Sequence, residues 1–322
     1  MGSEFIFPKL ENVLVGQFIV KRQLSADGNM SAVYEAWSHP KAEQRVRRVA
    51  LKMSRNDNPA YERSLLREVK QLRSLRHPGI VHICPIIMPN GVSLYSGRAE
   101  ELTALFNGEP PFYYAMELLD GGSLHNHLRG KSIYQFSIQW RVELLYQIAT
   151  TLDFLHSAKV AHRDIKPDNI VFRYAPRPNE RPQAVLIDFG LWAHGDEDLV
   201  PTAYRAGSLQ YLSPERVIAQ RRMVTNVRTS RIEGINHVPS DIWALGVIAY
   251  ELFHGVHPFA PFNSEEDLEY RLVHTPHRPP NTWASMDRLI NDMLQKIRED
   301  RPVIGAIIQR LDTEIGVPPP RI

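Results

Sequence analysis

Asp164, Asn169 and Asp188 carry the oxygen atoms most able to do chemistry in this chain. The run His162-Arg163-Asp164-Ile165-Lys166-Pro167-Asp168-Asn169 is followed, a short distance on, by Asp188-Phe189-Gly190. An ionised carboxylate can take up a proton or hold a hard cation, and an amide oxygen suits Mg²⁺. Residues 170–172 and 184–187 are short, apolar and β-branched, so they read as strands. Asp164 and Asn169 therefore fall on a loop before one strand, and Asp188 just after another. Groups at strand ends can converge on one point. Such a set fits phosphoryl transfer, where catalysis is mostly positioning plus neutralisation of charge by metal.

Other elements must hold these groups. Residues 18–24 and 32–36 read as strands around a turn containing Asp27-Gly28-Asn29, and 49–52 as a strand ending on Lys52. Residues 61–75 read as a helix, with Leu65, Val69, Leu72 and Leu75 forming one apolar face and Pro78 following its end. Residues 112–119 read as a further strand. Residues 137–157 carry Trp140, Leu144, Ile148, Leu152 and Leu155 at helical spacing and lead into His162. The apolar stretch 242–253, interrupted by Gly246 and Glu251, reads as a core helix. Between these, 89–111 reads as a variable surface loop with a turn at Pro89-Asn90-Gly91. Arg45, Arg47 and Arg48 read as a solvated hairpin edge, Asp196, Glu197 and Asp198 as an acidic turn, and 216–239, with Arg221, Arg222, Arg228 and Arg231, as a basic loop.

Composition limits the alternatives. The 322 residues are 43% hydrophobic and 23% charged, as in ordinary globular chains, and the length suits one large or two smaller domains. A net charge of +2 implies neither a nucleic-acid nor a membrane-surface partner. The single cysteine, Cys84, permits no internal disulfide, which suits a reducing cytoplasm, and reads as a small buried hydrophobe. No apolar run is long enough to span a bilayer. Residues 1–5 read as a cloning scar and 317–322 as a linker stub, which would make the chain a domain cut from a longer parent and leaves a membrane anchor in that parent open. Oligomeric state is not legible.

His162 to Asn169, followed by Asp188-Phe189-Gly190, resembles the catalytic loop and metal-binding turn of the eukaryotic-like (Hanks-type) Ser/Thr protein kinases. The resemblance runs from about residue 18 to about residue 311. It implies an α+β bilobal fold, with a small antiparallel sheet lobe and one main helix (6–119, including the hinge) over a larger helical lobe (120–316), and ATP in the cleft. It makes Asp164 the catalytic base, with Lys166 screening the transferring phosphoryl group. Lys52, by itself readable as an exposed strand lysine, would hold the α- and β-phosphates while paired to Glu68. Gly28, Val33, Ala50, Met116, Glu117, Leu119 and Val171 would contact the nucleotide, Met116 at the back of the adenine pocket. Asn169 and Asp188 would carry Mg²⁺, with Mn²⁺ as the alternative. His162 would be structural.

The glycine-rich loop departs from the family pattern. Only Gly28 matches, with Ala26 and Ser31 at the other glycine positions, and the form Gly28-x-Met30-Ser31-x-Val33 resembles many bacterial Ser/Thr kinases. In the activation segment, 188–215, Thr202 and then Tyr204 are the phosphorylation candidates, with Arg163 as the partner of such a phosphate, whereas Ser208 reads as structural. Ser213-Pro214-Glu215 stands where Ala-Pro-Glu is usual, and Glu215 should pair with Arg301. Asp241 should brace the catalytic-loop backbone. The implied reaction moves the γ-phosphoryl group of Mg·ATP to Ser or Thr of a protein. The alternatives are a pseudokinase scaffold that binds nucleotide without turnover, and a small-molecule phosphotransferase of related fold.

Overall fold

Alternating inward and outward side chains, beginning with buried Phe18 and Val20, drive residues 18–25 into an extended strand at the heart of the first unit. The computed structural model describes residues 7–25, 31–38, 46–55, 59–87, 91–106, 108–189, 209–225, 237–279 and 284–313. It divides into two compact units, Met1–Leu119 and Asp120–Ile322.

In the first unit the strands are β1 (Leu14–Val15), β2 (Phe18–Ser25), β3 (Ser31–Ser38) and β4 (Arg48–Ser54). Helix α1 (Pro59–Leu72) follows, then β5 (Ile83–Cys84), β6 (Ile86–Ile87), β7 (Ser93–Leu94), β8 (Gly97–Arg98) and β9 (Phe112–Glu117). The main sheet is antiparallel in the order β1-β2-β3-β4-β9-β5, with β8 also on β9. Register places Val33 opposite Lys52 and Ala50 opposite Met116. With a side-chain period of two, these four share one sheet face. The other face buries Ala32, Tyr34, Ala36, Leu51, Met53, Tyr113 and Ala115 in a continuous apolar core, with Cys84 partly buried against it.

Two expectations fail in this unit. The strand does not end on Lys52, because Met53 is fully buried and extends it to Ser54. The described part of the stretch 89–111 is not a surface loop. It forms β7, β8 and a 3₁₀ turn (Glu100–Phe106), and Ala99, Leu102 and Phe106 are fully buried in the same core with Phe7 and Leu10. Glu101 Oε1 accepts the Gly16 N–H at 3.1 Å, Arg98 reaches Glu62 of α1 at 2.5 Å, and Arg73 lies 4.8 Å over the Tyr95 ring. The insertion is thus a structural layer on the sheet.

The second unit is mainly helical. Its elements are α2 (Leu124–Arg129), α3 (Ile138–Ser157), the antiparallel pair β10 (Ile170–Phe172) and β11 (Ala184–Leu186), α4 (Pro214–Thr225), α5 (Val238–His254), α6 (Glu265–His274), α7 (Ala284–Met293) and α8 (Ile304–Thr313). Ser137 caps α3, its hydroxyl accepting the Trp140 N–H at 3.1 Å, and the expected apolar face of that helix is buried. Helix α5 is buried almost throughout, as a helix packed on several sides must be. Gly246 lets it approach α7, since a Cβ there would stand 2.9 Å from Met293 Cβ. The first half of 216–239 corrects another expectation. It continues α4, with Pro214 well suited to a first helical turn, and Arg221 pairs with Glu269 of α6 at 2.6 Å. Among the described residues no helix is long and apolar enough to cross a membrane.

Candidate active site

The loop before β10 is held from beneath by one buried carboxylate. Asp241, 1% exposed on α5, accepts the His162 N–H on Oδ2 and the Arg163 N–H on Oδ1, each at 2.8 Å. His156 Nε2 reaches the same Oδ2 at 3.0 Å. Burial alone would raise the Asp241 pKa, but the bond and charge of His156 and the backbone donors hold it below the ordinary value. The His162 ring packs on Phe189, 4.7 Å between centroids, and its Nε2 donates to the Ile187 carbonyl at 3.1 Å. This is a bracing geometry.

On that base the predicted polar groups converge. Asp164 Oδ2 accepts from Lys166 Nζ and from Asn169 Nδ2, both at 2.9 Å, and Asn169 Nδ2 also donates to the Asp164 carbonyl at 2.8 Å. All three residues are buried. With Nδ2 directed at Asp164, the oxygen of the Asn169 amide is the atom left to bind a cation. Ile187 N–H donates to the Asn169 carbonyl at 3.0 Å, which sets Asp188 beside the loop. Arg163 (φ 68°) and Asp188 (φ 62°) both adopt left-handed backbone, uncommon for residues with a Cβ and often found where a site demands it. Among the described residues no three His, Cys, Asp or Glu side chains cluster as a metal cage. A pair of oxygen donors from Asn169 and Asp188 suits a hard ion that keeps water and phosphate ligands.

In the first unit, Lys52 Nζ donates to both carboxylate oxygens of Glu68, at 2.9 and 2.8 Å, with both side chains buried. Val33, Ala50 and Met116 share the sheet face of Lys52. Glu117 has its N–H committed to the His82 carbonyl at 2.8 Å, and Leu119 follows the strand's end. In the second unit Val171 lies on β10 and bridges to Ser123. Gly121 must lack a Cβ, which would collide with Phe172 and the Tyr174 carbonyl. Gly28, Thr202, Tyr204 and Ser208 lie outside the described residues.

The segment that follows is anchored as well. Glu215 meets Arg301 in a two-pronged pair, 2.8 Å at each prong. The Tyr211 hydroxyl donates to Glu251 Oε2 at 3.0 Å, and the Tyr134 hydroxyl to the Glu251 carbonyl at 2.8 Å. Burial pushes the Glu251 carboxyl up to about 7, against the Tyr211 bond, with Asp168 adding to the rise. A raised folded pKa means stability that is full below the unfolded value and lost as pH rises from about 4.5 to 7. Glu251→Gln should remove that loss. Urea melts at pH 5 and 7.5 are expected to show wild type losing about 2–3 kcal/mol relative to the variant. Equal slopes in both proteins would refute it. The His156 contact and the placement of Arg216, which donates to the Arg163 carbonyl, were not anticipated from sequence. The arginine directly after Ser213-Pro214-Glu215 was the only signal.

Residues 20–311 match the model of the protein kinase domain family. The chain belongs to that family, as a Hanks-type Ser/Thr kinase domain with an antiparallel sheet part followed by a helical part. It is similar to serine/threonine-protein kinase ULK3 of Rattus norvegicus, 29% identical over 94% of this chain and 54% of the relative. It is also similar to an Aurora kinase of Eremothecium gossypii, 31% identical over 66% of this chain and 46% of the relative. A calcium/calmodulin-dependent protein kinase type 1 of Macrobrachium nipponense is 31% identical over 64% of this chain and 47% of its own length. The chain spans about half the length of these curated relatives. The family uses ATP and a divalent metal ion, and acts on proteins.

Proposed function

We propose that this chain transfers the γ-phosphoryl group of Mg·ATP to Ser or Thr hydroxyls of protein substrates, and to its own activation segment, with Thr202 the first candidate and Tyr204 the alternative. The observation that carries this reading is the convergence of Lys166 and Asn169 on Asp164 above the Asp241 brace. Asp164 orients the acceptor hydroxyl and takes its proton as the new O–P bond forms. The bond from the γ-phosphorus to its bridging oxygen breaks, and ADP leaves. Lys166 places positive charge beside the transferring group. Lys52, held by Glu68, binds the α- and β-phosphates. Gly28, Val33, Ala50, Met116 and Val171 contact the nucleotide, and Glu117 and Leu119 offer backbone groups to adenine. Asn169 and Asp188 would hold the metal ion. When bound, Mg²⁺, or Mn²⁺ in its place, neutralises phosphate charge.

The cysteine content supports a cytoplasmic setting. On this reading 6–119 is the small lobe with its hinge and 120–316 the large lobe. Intact mass after incubation with Mg·ATP, beside an Asp164→Asn control, tests the proposal. Added phosphate in the wild type alone is expected, with peptide mapping placing it at Thr202. Nucleotide binding with no label on the chain or on any added protein would instead favour a scaffold that does not turn over.

A further inference from the structure

The peptide bond that enters Asp164 is held at both ends. Its predecessor's N–H, on Arg163, goes to Asp241 at 2.8 Å, and the Arg163 carbonyl accepts from Nη1 of Arg216 on α4. That carbonyl and the Asp164 N–H belong to one planar unit, so a hydrogen bond at the oxygen fixes the plane of both. The Asp164 N–H in turn donates to His162 Nδ1 at 3.4 Å. The plane matters because Arg163 is left-handed, φ 68°, a backbone state that persists only where surrounding contacts over-determine it. Arg216 also lines, with Arg163, Asp164, Ser213, Ser240 and Asp241, a cavity of about 10 Å³. That is room for about one water, too little for solvent to replace a guanidinium. Burial opposes the charge of Arg216, while Asp164 and Asp241 favour it and Arg163 does not.

We infer that Arg216 is a positioning residue for phosphoryl transfer, fixing the Arg163–Asp164 peptide so that the Asp164 carboxylate meets the acceptor hydroxyl. This rests on the reading of Asp164 as the base. A lysine supplies one point charge on a shorter, flexible stem, so it should replace the planar fork only in part.

The test compares wild type, R216M and R216K in two ways. Steady-state turnover with ATP and a peptide should show R216M lowering kcat by about 10–100-fold with the KM for ATP within about twofold, since small misplacement of a reacting group costs rate and not nucleotide affinity. R216K should recover part of the rate. Amide hydrogen exchange at Asp164, read by NMR in the folded protein, should speed up by about tenfold or more in R216M and by less in R216K. Unchanged exchange at that amide in both variants overturns the inference, whatever the turnover. A loss of rate in R216M that R216K does not relieve also overturns it. A wild type without turnover, whose Asp164 amide nonetheless responds to R216M, would refute the kinase reading and leave the positioning of this peptide standing.

Discussion

Replacing Asp164 by asparagine is expected to lower phosphoryl transfer by about 10²–10⁴-fold, the range that a positioned general base contributes. The substitution is close to isosteric, and the local geometry should survive it. Lys166 Nζ and Asn169 Nδ2 both donate to Oδ2 of Asp164, so an amide at 164 would turn its oxygen toward them. What disappears is the capacity to accept the proton of the acceptor hydroxyl. Nucleotide binding should change little, because the buried Lys52–Glu68 pair is formed within the first unit and is untouched. Turnover on a peptide, measured beside binding of a fluorescent nucleotide, separates the two effects. A loss of less than about threefold in kcat would deny Asp164 the role of base.

The site was legible where chemistry depends on residue type at short range. Asp164, Lys166 and Asn169 sit within six positions of one another, so one loop brings them together, and their convergence on Asp164 follows from local geometry. The faces of α1 and α3 were legible for the same kind of reason, since Leu65, Val69 and Leu72, or Trp140, Leu144 and Ile148, repeat at helical spacing and are all buried. Long-range assembly was less visible. Residues 99, 102 and 106 carry a helical apolar spacing of their own, but they stand among Gly and Glu and pack on Phe7 and Leu10 from the start of the chain. Nothing in the local pattern marks that partner. The arginines after Pro214 suggested a solvated loop, yet Val217 is fully buried and Arg221 has its counter-ion on α6, so the segment folds as helix. Charge read along the chain says little about which charges meet in space. His156, at the last turn of α3, and Arg216 both acquire their importance only from elements brought against them, by α5 in the first case and by the loop before β10 in the second.

Loss of Arg301 is expected to cost about 3–5 kcal/mol of stability, the range for breaking a buried pair by removing one partner. Its side chain is fully buried, and the two prongs of its guanidinium reach Glu215 Oε1 and Oε2 at 2.8 Å each. The same group donates to the carbonyls of Pro239 at 2.8 Å and Gln295 at 2.9 Å, and lies 5.1 Å over the Trp243 ring. Ser240 Oγ adds a donor to Glu215 at 2.9 Å. One cation thus ties the start of α4 to the start of α5 and to the loop before α8. Arg301→Ala would strand the Glu215 carboxylate and two carbonyls. Arg301→Lys keeps the charge but loses the fork, and should recover only a fraction. The pH dependence has a definite sign. Burial would raise the Glu215 pKa, but the bond and charge of Arg301 hold it below 4.5. A depressed carboxyl pKa contributes stability above the unfolded value that is lost as pH falls through the folded one. The gap between wild type and Glu215→Gln should therefore be full at pH 7 and shrink as pH drops below about 4.5. Urea unfolding of the wild type, both single variants and the double variant would measure the coupling directly. Strict additivity of the two single losses would mean that each side chain acts through its other contacts, and that the pair does not tie the activation segment's end to the last helices.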